Sequence, residues 1–334
     1  MGVAELGIAL ITFAPARTQD FVTLGRRAEE AGYAACYTTE SLTDTLSIDL
    51  AILLGTERIR VGSFVAVSYL RHPVIAAQMA TTASDLSGGR FVLGLGLGHK
   101  IRVEALGVPV GRPSVDLPAY VRDVKEVLAG RGRQRYPGLP PQSYQGRLLD
   151  FRTPEHPVPV YTAAVGPTMA EEGAVVSDGV MVWLVPHAGI GELLAAAGRA
   201  GERTGRPAPP VEASVHAFVS DDLGAAREAA RSSLSYWVGL PAYNRALARA
   251  GHEEEAARIA GAFRAGDTAA LRAAISDELI DEYCLAGPAA RCRDQLARWQ
   301  DTGAATVLLV PHPVLPGETY TAGVERSLLS LSPS

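Results

Sequence analysis

Ser87-Gly88-Gly89-Arg90-Phe91-Val92-Leu93-Gly94-Leu95-Gly96-Leu97-Gly98-His99 is the stretch that decides the fold. A helix from about Pro73 to Leu86 runs into it, and Phe91–Leu95 is the strand that follows. The strand then leaves through Gly94-x-Gly96-x-Gly98, which removes side chains where a flat ring or a phosphate must approach backbone N–H groups. Tight packing at a rim would ask for the same glycines. A G-x-G-x-x-G fingerprint opening a helix is not met, because the sixth position is His99, so a nicotinamide site of that type is unsupported.

Working outward, the same alternation of short apolar runs and helical stretches recurs along the chain. Upstream lie the strand Leu6–Ile11 and a helix marked by Phe21, Leu24, Ala28 and Ala31, with Thr18 or Asp20 as cap and Gly32 as stop. Strands Ala35–Thr39 and Ile59–Val65 follow, the latter continuously apolar as expected of a strand covered on both faces. Downstream, Leu117, Tyr120, Val121, Val124 and Leu128 mark another helix. Gly130 to Pro159 reads as an excursion with a small hairpin through Tyr144–Phe151. Then come Val158–Ala163, Val180–Val185, a helix through Ile190, Leu193, Leu194 and Ala197, and the strand Val211–Val219. A helical block from Leu223 to Gln300 precedes the last strand, Thr306–Val310, and a final helix over about Thr321–Leu331. Eight strands with helical connections predict a (β/α)8 TIM barrel, with an open doubly wound sheet as the alternative. The 334 residues are expected to form one domain, with insertions near 100–118, 130–157 and 223–300.

Composition narrows the function. The 47% apolar and 20% charged residues are those of an ordinary globular chain. A net charge of −5 without a basic run leaves nucleic acid without an electrostatic footprint. Met1 to Leu10 lacks the basic region and cleavage site of a signal peptide, and no apolar run reaches the roughly 18 residues of a membrane span. Cys36, Cys284 and Cys292 form no C-x-x-C pair, so reduced thiols and a cytoplasmic location are expected. No pair of histidines has metal-site spacing.

In such a barrel, catalytic groups stand at the C-terminal ends of the strands. That rule selects Thr12 and Phe13, Glu40 and Ser41, the 63–68 segment, Gly96, Gly98 and His99, Ala163 to Pro167, Trp183 with His187, and His312. Ala163-Ala164-Val165-Gly166-Pro167 places small residues before a helix whose first turn offers N–H groups to an anion. Phe13, His187 and His312 are candidates to line a pocket for a small-molecule substrate, and His72 has a structural place at a helix start. Arg102 and Glu104 are expected to hold the loop by ion pairing.

Several stretches together resemble the bacterial luciferase-like superfamily, in its branch that uses coenzyme F420 and includes methylenetetrahydromethanopterin reductase. They are Leu6-Gly7-Ile8, Ala28-Glu29-Glu30-Ala31-Gly32-Tyr33, Leu70-Arg71-His72-Pro73-Val74-Ile75-Ala76-Ala77-Gln78, and Leu86 to Gly98. To these add Pro159 to Pro167, Ser177-Asp178-Gly179-Val180 and the segment from Gly287-Pro288 to Val307. The match thins between Leu223 and Leu285. The resemblance implies a cofactor ring across the barrel mouth, with its tail toward the ends of strands four and five. It also implies a bulge with a non-proline cis peptide near Phe64-Val65, against the back of the ring, and a homodimer. The cofactor set is then Glu40, Ser41, Phe64, Val65, Ala66, Gly96, Gly98, His99, Ala163, Ala164, Val165, Gly166, Pro167 and Trp183.

One departure matters. Many F420-dependent dehydrogenases carry Asp-His after strand two, whereas this chain has Glu40-Ser41, and Ser41 cannot replace an imidazole as a base. Glu40 is nonetheless a catalytic candidate, placed to hydrogen-bond the ring. A family acid after the strand-four glycines is replaced by His99, the candidate proton donor. The expected reaction is hydride transfer from reduced F420 to a C=C or C=N bond, favoured over alcohol oxidation. The alternatives are an FMN-dependent monooxygenase and a non-catalytic flavin-binding member of the superfamily.

Overall fold

The computed structural model describes residues 2–12, 15–131 and 151–333. Among them the strands are β1 (Glu5–Leu10), β2 (Ala35–Thr38), β3 (Arg60–Ser63), β4 (Ala66–Val67) and β5 (Phe91–Gly96). The second half holds β6 (Val160–Ala164), β7 (Gly179–Val182), β8 (Val211–Val219), β9 (Cys284–Gly287) and β10 (Thr306–Pro311). Every pairing is parallel, and β10 pairs with both β1 and β8. The sheet β1-β2-β3-β5-β6-β7-β8-β10 therefore closes into an eight-stranded barrel, and the open-sheet alternative is excluded.

The barrel helices are α1 (Thr18–Glu30), α2 (Thr45–Gly55), α3 (Pro73–Ser87), α4 (Lys100–Ala105), α5 (Pro113–Leu128), α6 (Pro167–Val176) and α7 (Ile190–Thr204). After β8 come α8 (Leu223–Trp237), α9 (Pro241–Arg249), α10 (Glu253–Ala265), α11 (Thr268–Ala273) and α12 (Asp277–Tyr283). Following β9 are α13 (Ala289–Gln300) and α14 (Tyr320–Ser330). Local chemistry sets the ends: Asp20 accepts from the Arg17 N–H at 2.8 Å, and His72 Nδ1 accepts from the Val74 N–H at 3.2 Å as the cap of α3.

Register defines the inside of the barrel, because partnered residues on parallel strands share a face. Tyr37 pairs with Ala9 and Gly62, and Gly62 with Val92; Met181 pairs with Ala163 and Glu212, and Glu212 with Thr306. The Tyr37 hydroxyl donates to Glu212 Oε1 at 3.3 Å across the barrel, so both faces point inward. Carried upward, the same parity puts Phe64, Gly96, Trp183 and His216 inside at the C-terminal mouth.

Three readings of the sequence change. The strand read as Ile59–Val65 stops at Ser63, and a second short strand, β4, starts at Ala66 beyond the cis Phe64-Val65 peptide. The block Leu223–Gln300 is not wholly helical: Cys284–Gly287 is a buried strand pairing with His216–Val219. Four residues are too short for a period, and only the free edge of β8 above β7 makes them a strand. The run read as Val180–Val185 stops at Val182. The hairpin expected at Tyr144–Phe151 lies, apart from Phe151, outside the described residues. No described helix is long and apolar enough to cross a membrane, and the three cysteines are buried and unpaired.

Candidate functional site

A cavity of about 2020 Å³ opens at the C-terminal mouth, between the strand ends and α8 to α11. Its floor carries Phe64 and Val65 at the cis peptide, with Gly96 and Ala163 on neighbouring strands and Trp183 just beyond β7. The Phe64 and Trp183 rings lie 5.6 Å apart.

The glycines of β5 serve this floor differently from a bare cradle. A Cβ on Gly94 would lie 2.0 Å from the Ser63 carbonyl oxygen and 2.6 Å from Met181 sulfur. One on Gly96 would lie 2.3 Å from the Val65 side chain. Both vacancies are filled by the chain itself, so these glycines let the bulge press against β5. Gly96, Leu97 and Gly98 nonetheless line the cavity.

Glu40 is held rather than free. Arg71 donates to both of its oxygens, at 2.8 and 2.5 Å, and the Val67 N–H donates to Oε2 as well. The two side chains are only 11% and 7% exposed, so the pair is shielded from solvent and ties the end of β2 to β4. Arg102 does not pair with Glu104: it donates to the carbonyls of Glu40, at 3.1 Å, and Ser41, latching α4 over that loop. Glu104 faces Lys100 instead, at 3.6 Å.

His99 precedes α4 and lines the cavity, its ring 5.0 Å from Trp237 and 6.0 Å from Tyr243. Burial, and then the Arg102 charge, hold its pKa below the usual imidazole value. At neutral pH the ring is therefore uncharged.

The other glycine-containing exit, Ala163 to Pro167, lines the cavity at the end of the neighbouring strand β6. Gly166 caps α6 without a side-chain hydrogen bond, so the first-turn N–H groups at Thr168 and Met169 face the cavity uncapped. Arg249 of α9 reaches this turn, donating to the Val165 carbonyl at 3.2 Å and pairing with Glu192 at 3.1 Å. A phosphate-bearing ring cofactor fits this donor set: anion-binding N–H groups on one wall, apolar floor and aromatic flank on the other.

Three sequence candidates lie elsewhere. Ala66 is wholly buried in β4, paired with Leu95 behind the cavity wall. His187 turns outward, its ring edge-on to Trp299 and Nε2 3.2 Å from the Arg298 carbonyl. His312 does not line the cavity but packs beside His216, stacked 4.4 Å from Phe218, with Nε2 2.8 Å from His216 Nδ1. Burial pushes the His312 imidazole down to about 3 and that of His216 well below its usual value, so both are neutral. Strand ends twist, and residues beyond them follow their loops rather than the barrel axis. Phe13 lies outside the described residues. Conversely, Arg71 and Arg249 entered the site without a sequence signal of role, since each is brought there by an element remote in the chain.

A closed parallel barrel with a cis-peptide bulge under a large mouth cavity is the architecture of luciferase-type oxidoreductases. The chain belongs to the luciferase-like monooxygenase family, whose model matches residues 6–306. It is 27% identical over 299 residues to 5,10-methylenetetrahydromethanopterin reductase of Methanolobus tindarius, covering 87% of this chain and 89% of that one. The coenzyme F420-dependent tetrahydromethanopterin reductase of Methanopyrus kandleri superposes with a TM-score of 0.76 at 21% identity, over 99% and 98% of the two chains. A Pseudomonas putida Baeyer–Villiger monooxygenase component in complex with FMN gives 0.65 at 15% identity, over 100% and 99%.

Proposed function

We propose that this chain is an F420-dependent oxidoreductase that reduces a C=C or C=N bond of a small organic substrate. The observation that carries the reading is the mouth cavity, where the Phe64-Val65 bulge and the uncapped start of α6 face one space. The likeness to the coenzyme F420-dependent reductase of Methanopyrus kandleri adds support for F420 over FMN. Bound F420 would supply the hydride. Phe64, Val65 and Trp183 would hold its ring, and Thr168 and Met169 its phosphate, with Arg249 adding positive charge beside them.

The chain's own part is orientation, exclusion of water and one proton. Glu40, locked to Arg71, positions the loop rather than carrying a proton. His99 is the proton carrier, and because its pKa is depressed, the protonated form grows only as pH falls below the ordinary imidazole range. Turnover should therefore rise from pH 8 toward pH 6. His99→Ala is expected to cut kcat at pH 6 by about 10²-fold or more, to flatten that rise, and to leave cofactor affinity nearly unchanged. Equal kcat in the variant removes His99 from this role.

The test of the cofactor is direct. Purified protein titrated with F420 and, separately, with FMN should show absorbance or fluorescence changes with F420 at micromolar levels. Binding of FMN alone would overturn the proposal in favour of a monooxygenase. F420 binding without turnover on any activated alkene or imine would favour a non-catalytic carrier.

A further inference from the structure

We infer that the half of the cavity walled by α8 to α11 is a separate subsite for a planar, conjugated substrate carrying an anionic group. The inference deepens the oxidoreductase reading and rests on it.

Size comes first. The cavity, at about 2020 Å³, is roughly twice the largest usual single-ligand pocket of ~1,000 Å³. Its inner half is built by strand ends; its outer half is not. There Trp237 stands as a corner post, 6.1 Å from Trp183 and 5.8 Å from Tyr243, at 71° to each. His99 closes the corner 5.0 Å from Trp237. Rings held at right angles offer a further flat ring stacked and edge-to-face contacts at once, which a saturated skeleton cannot collect. Tyr243 is buried in the core of the excursion, so the corner is rigid before any ligand arrives.

Charge selects the substituent. The described residues lining the cavity include five basic side chains (Lys100, Arg102, Arg245, Arg249 and Arg272) against the acids Glu40 and Asp267. Glu40 is already neutralised by Arg71. Arg102 is occupied by carbonyl groups, Arg249 by Glu192 and Arg272 by Glu228. Arg245, exposed on α9, has no ion-pair partner among the described residues and lines the same cavity. A free guanidinium on the wall of the cavity that holds the aromatic corner recognises a carboxylate or phosphate on a flat molecule and disfavours a cationic one.

Three non-reactive probes test this by isothermal titration of the protein saturated with oxidised F420: 2-naphthoate, decalin-2-carboxylate and 2-naphthamide. Naphthoate should bind at least about tenfold more tightly than the decalin acid and about fivefold more tightly than the amide. Trp237→Ala should weaken naphthoate about tenfold, while Trp237→Phe keeps most of the affinity and guards against misfolding. Arg245→Gln should bring naphthoate to the level of the amide and leave the amide unchanged. Equal binding of naphthoate and the decalin acid overturns the inference. So does displacement of naphthoate by F420, which would assign the corner to the cofactor. Loss of F420 and FMN binding with the naphthoate pattern intact counts against the parent reading alone.

Discussion

The barrel and the excursion between β8 and β9 are built on opposite principles. Inside the barrel, backbone approaches backbone so closely that single hydrogen atoms stand where side chains would, as at Gly94. Polar groups are buried there too: Glu212 takes hydroxyls from Tyr37 and Thr306, each at 3.3 Å. The excursion instead packs Ala226, Ala230, Leu234, Ile259 and Leu279 into an apolar core that joins the barrel through Leu184 and Phe218. Its ion pairs lie partly exposed, with Arg227 and Arg231 on Asp277 at 2.7 and 2.6 Å. The strand-end half of the cavity thus rests on a scaffold that accepts no added atom, and the half walled by α8 to α11 on side chains packed together in an apolar helical core.

The sharpest way to break this contrast is Gly94→Val. Its Cβ would meet the Ser63 carbonyl and Met181, neither of which has room to retreat. The cost should exceed the ~3 kcal/mol of ordinary overpacking, leaving little folded protein in a thermal melt. A variant as stable as the parent would mean that the bulge is not held against β5 as described. Leu234→Ala in the excursion comes next, with an expected loss of about 3 kcal/mol by urea unfolding. F420 affinity should be unchanged and naphthoate affinity reduced; a parallel loss of both would show that the two halves are not separable.

Smaller, and confined to the barrel, is the effect of Glu212. Burial raises its carboxyl from the ordinary 4.5 to about 7, against the opposing pull of Arg60 and the hydroxyls of Tyr37 and Thr306. Tyr37, Tyr161, Arg60 and Glu5 are the other titratable groups facing it. Between those two values the folded chain keeps a proton that the unfolded chain has released, so this contribution to stability falls as pH rises through the window and is flat above it. Glu212→Gln should abolish that fall and leave the variant more stable than the parent at pH 8 by on the order of 2 kcal/mol. Parallel stability curves for the two proteins from pH 4.5 to 7.5 would refute the assignment.

Much of this molecule was legible in its sequence. Continuous apolar runs at Leu6–Ile11 and Phe91–Leu95 are strands because side chains buried on both faces need no alternation, and the helices between strands carry their own period. Short-range patterns of that kind also placed the cis step at Phe64-Val65, through resemblance, and the loop residues Ser41, His99 and Ala163 to Pro167 on the cavity wall. What the sequence could not decide depends on partners far along the chain. Cys284–Gly287 is a strand only because β8 has an open edge there, and Glu40 is immobile only because Arg71 reaches it from 31 positions away. His187 left the site because the loop beyond β7 is steered by what it packs on, Trp299, and His312 because it is held in the ladder beside His216 and Phe218 rather than on the cavity wall. Local periodicity is written residue by residue; the pairing of a charge or a ring with a distant neighbour exists only once the barrel has closed.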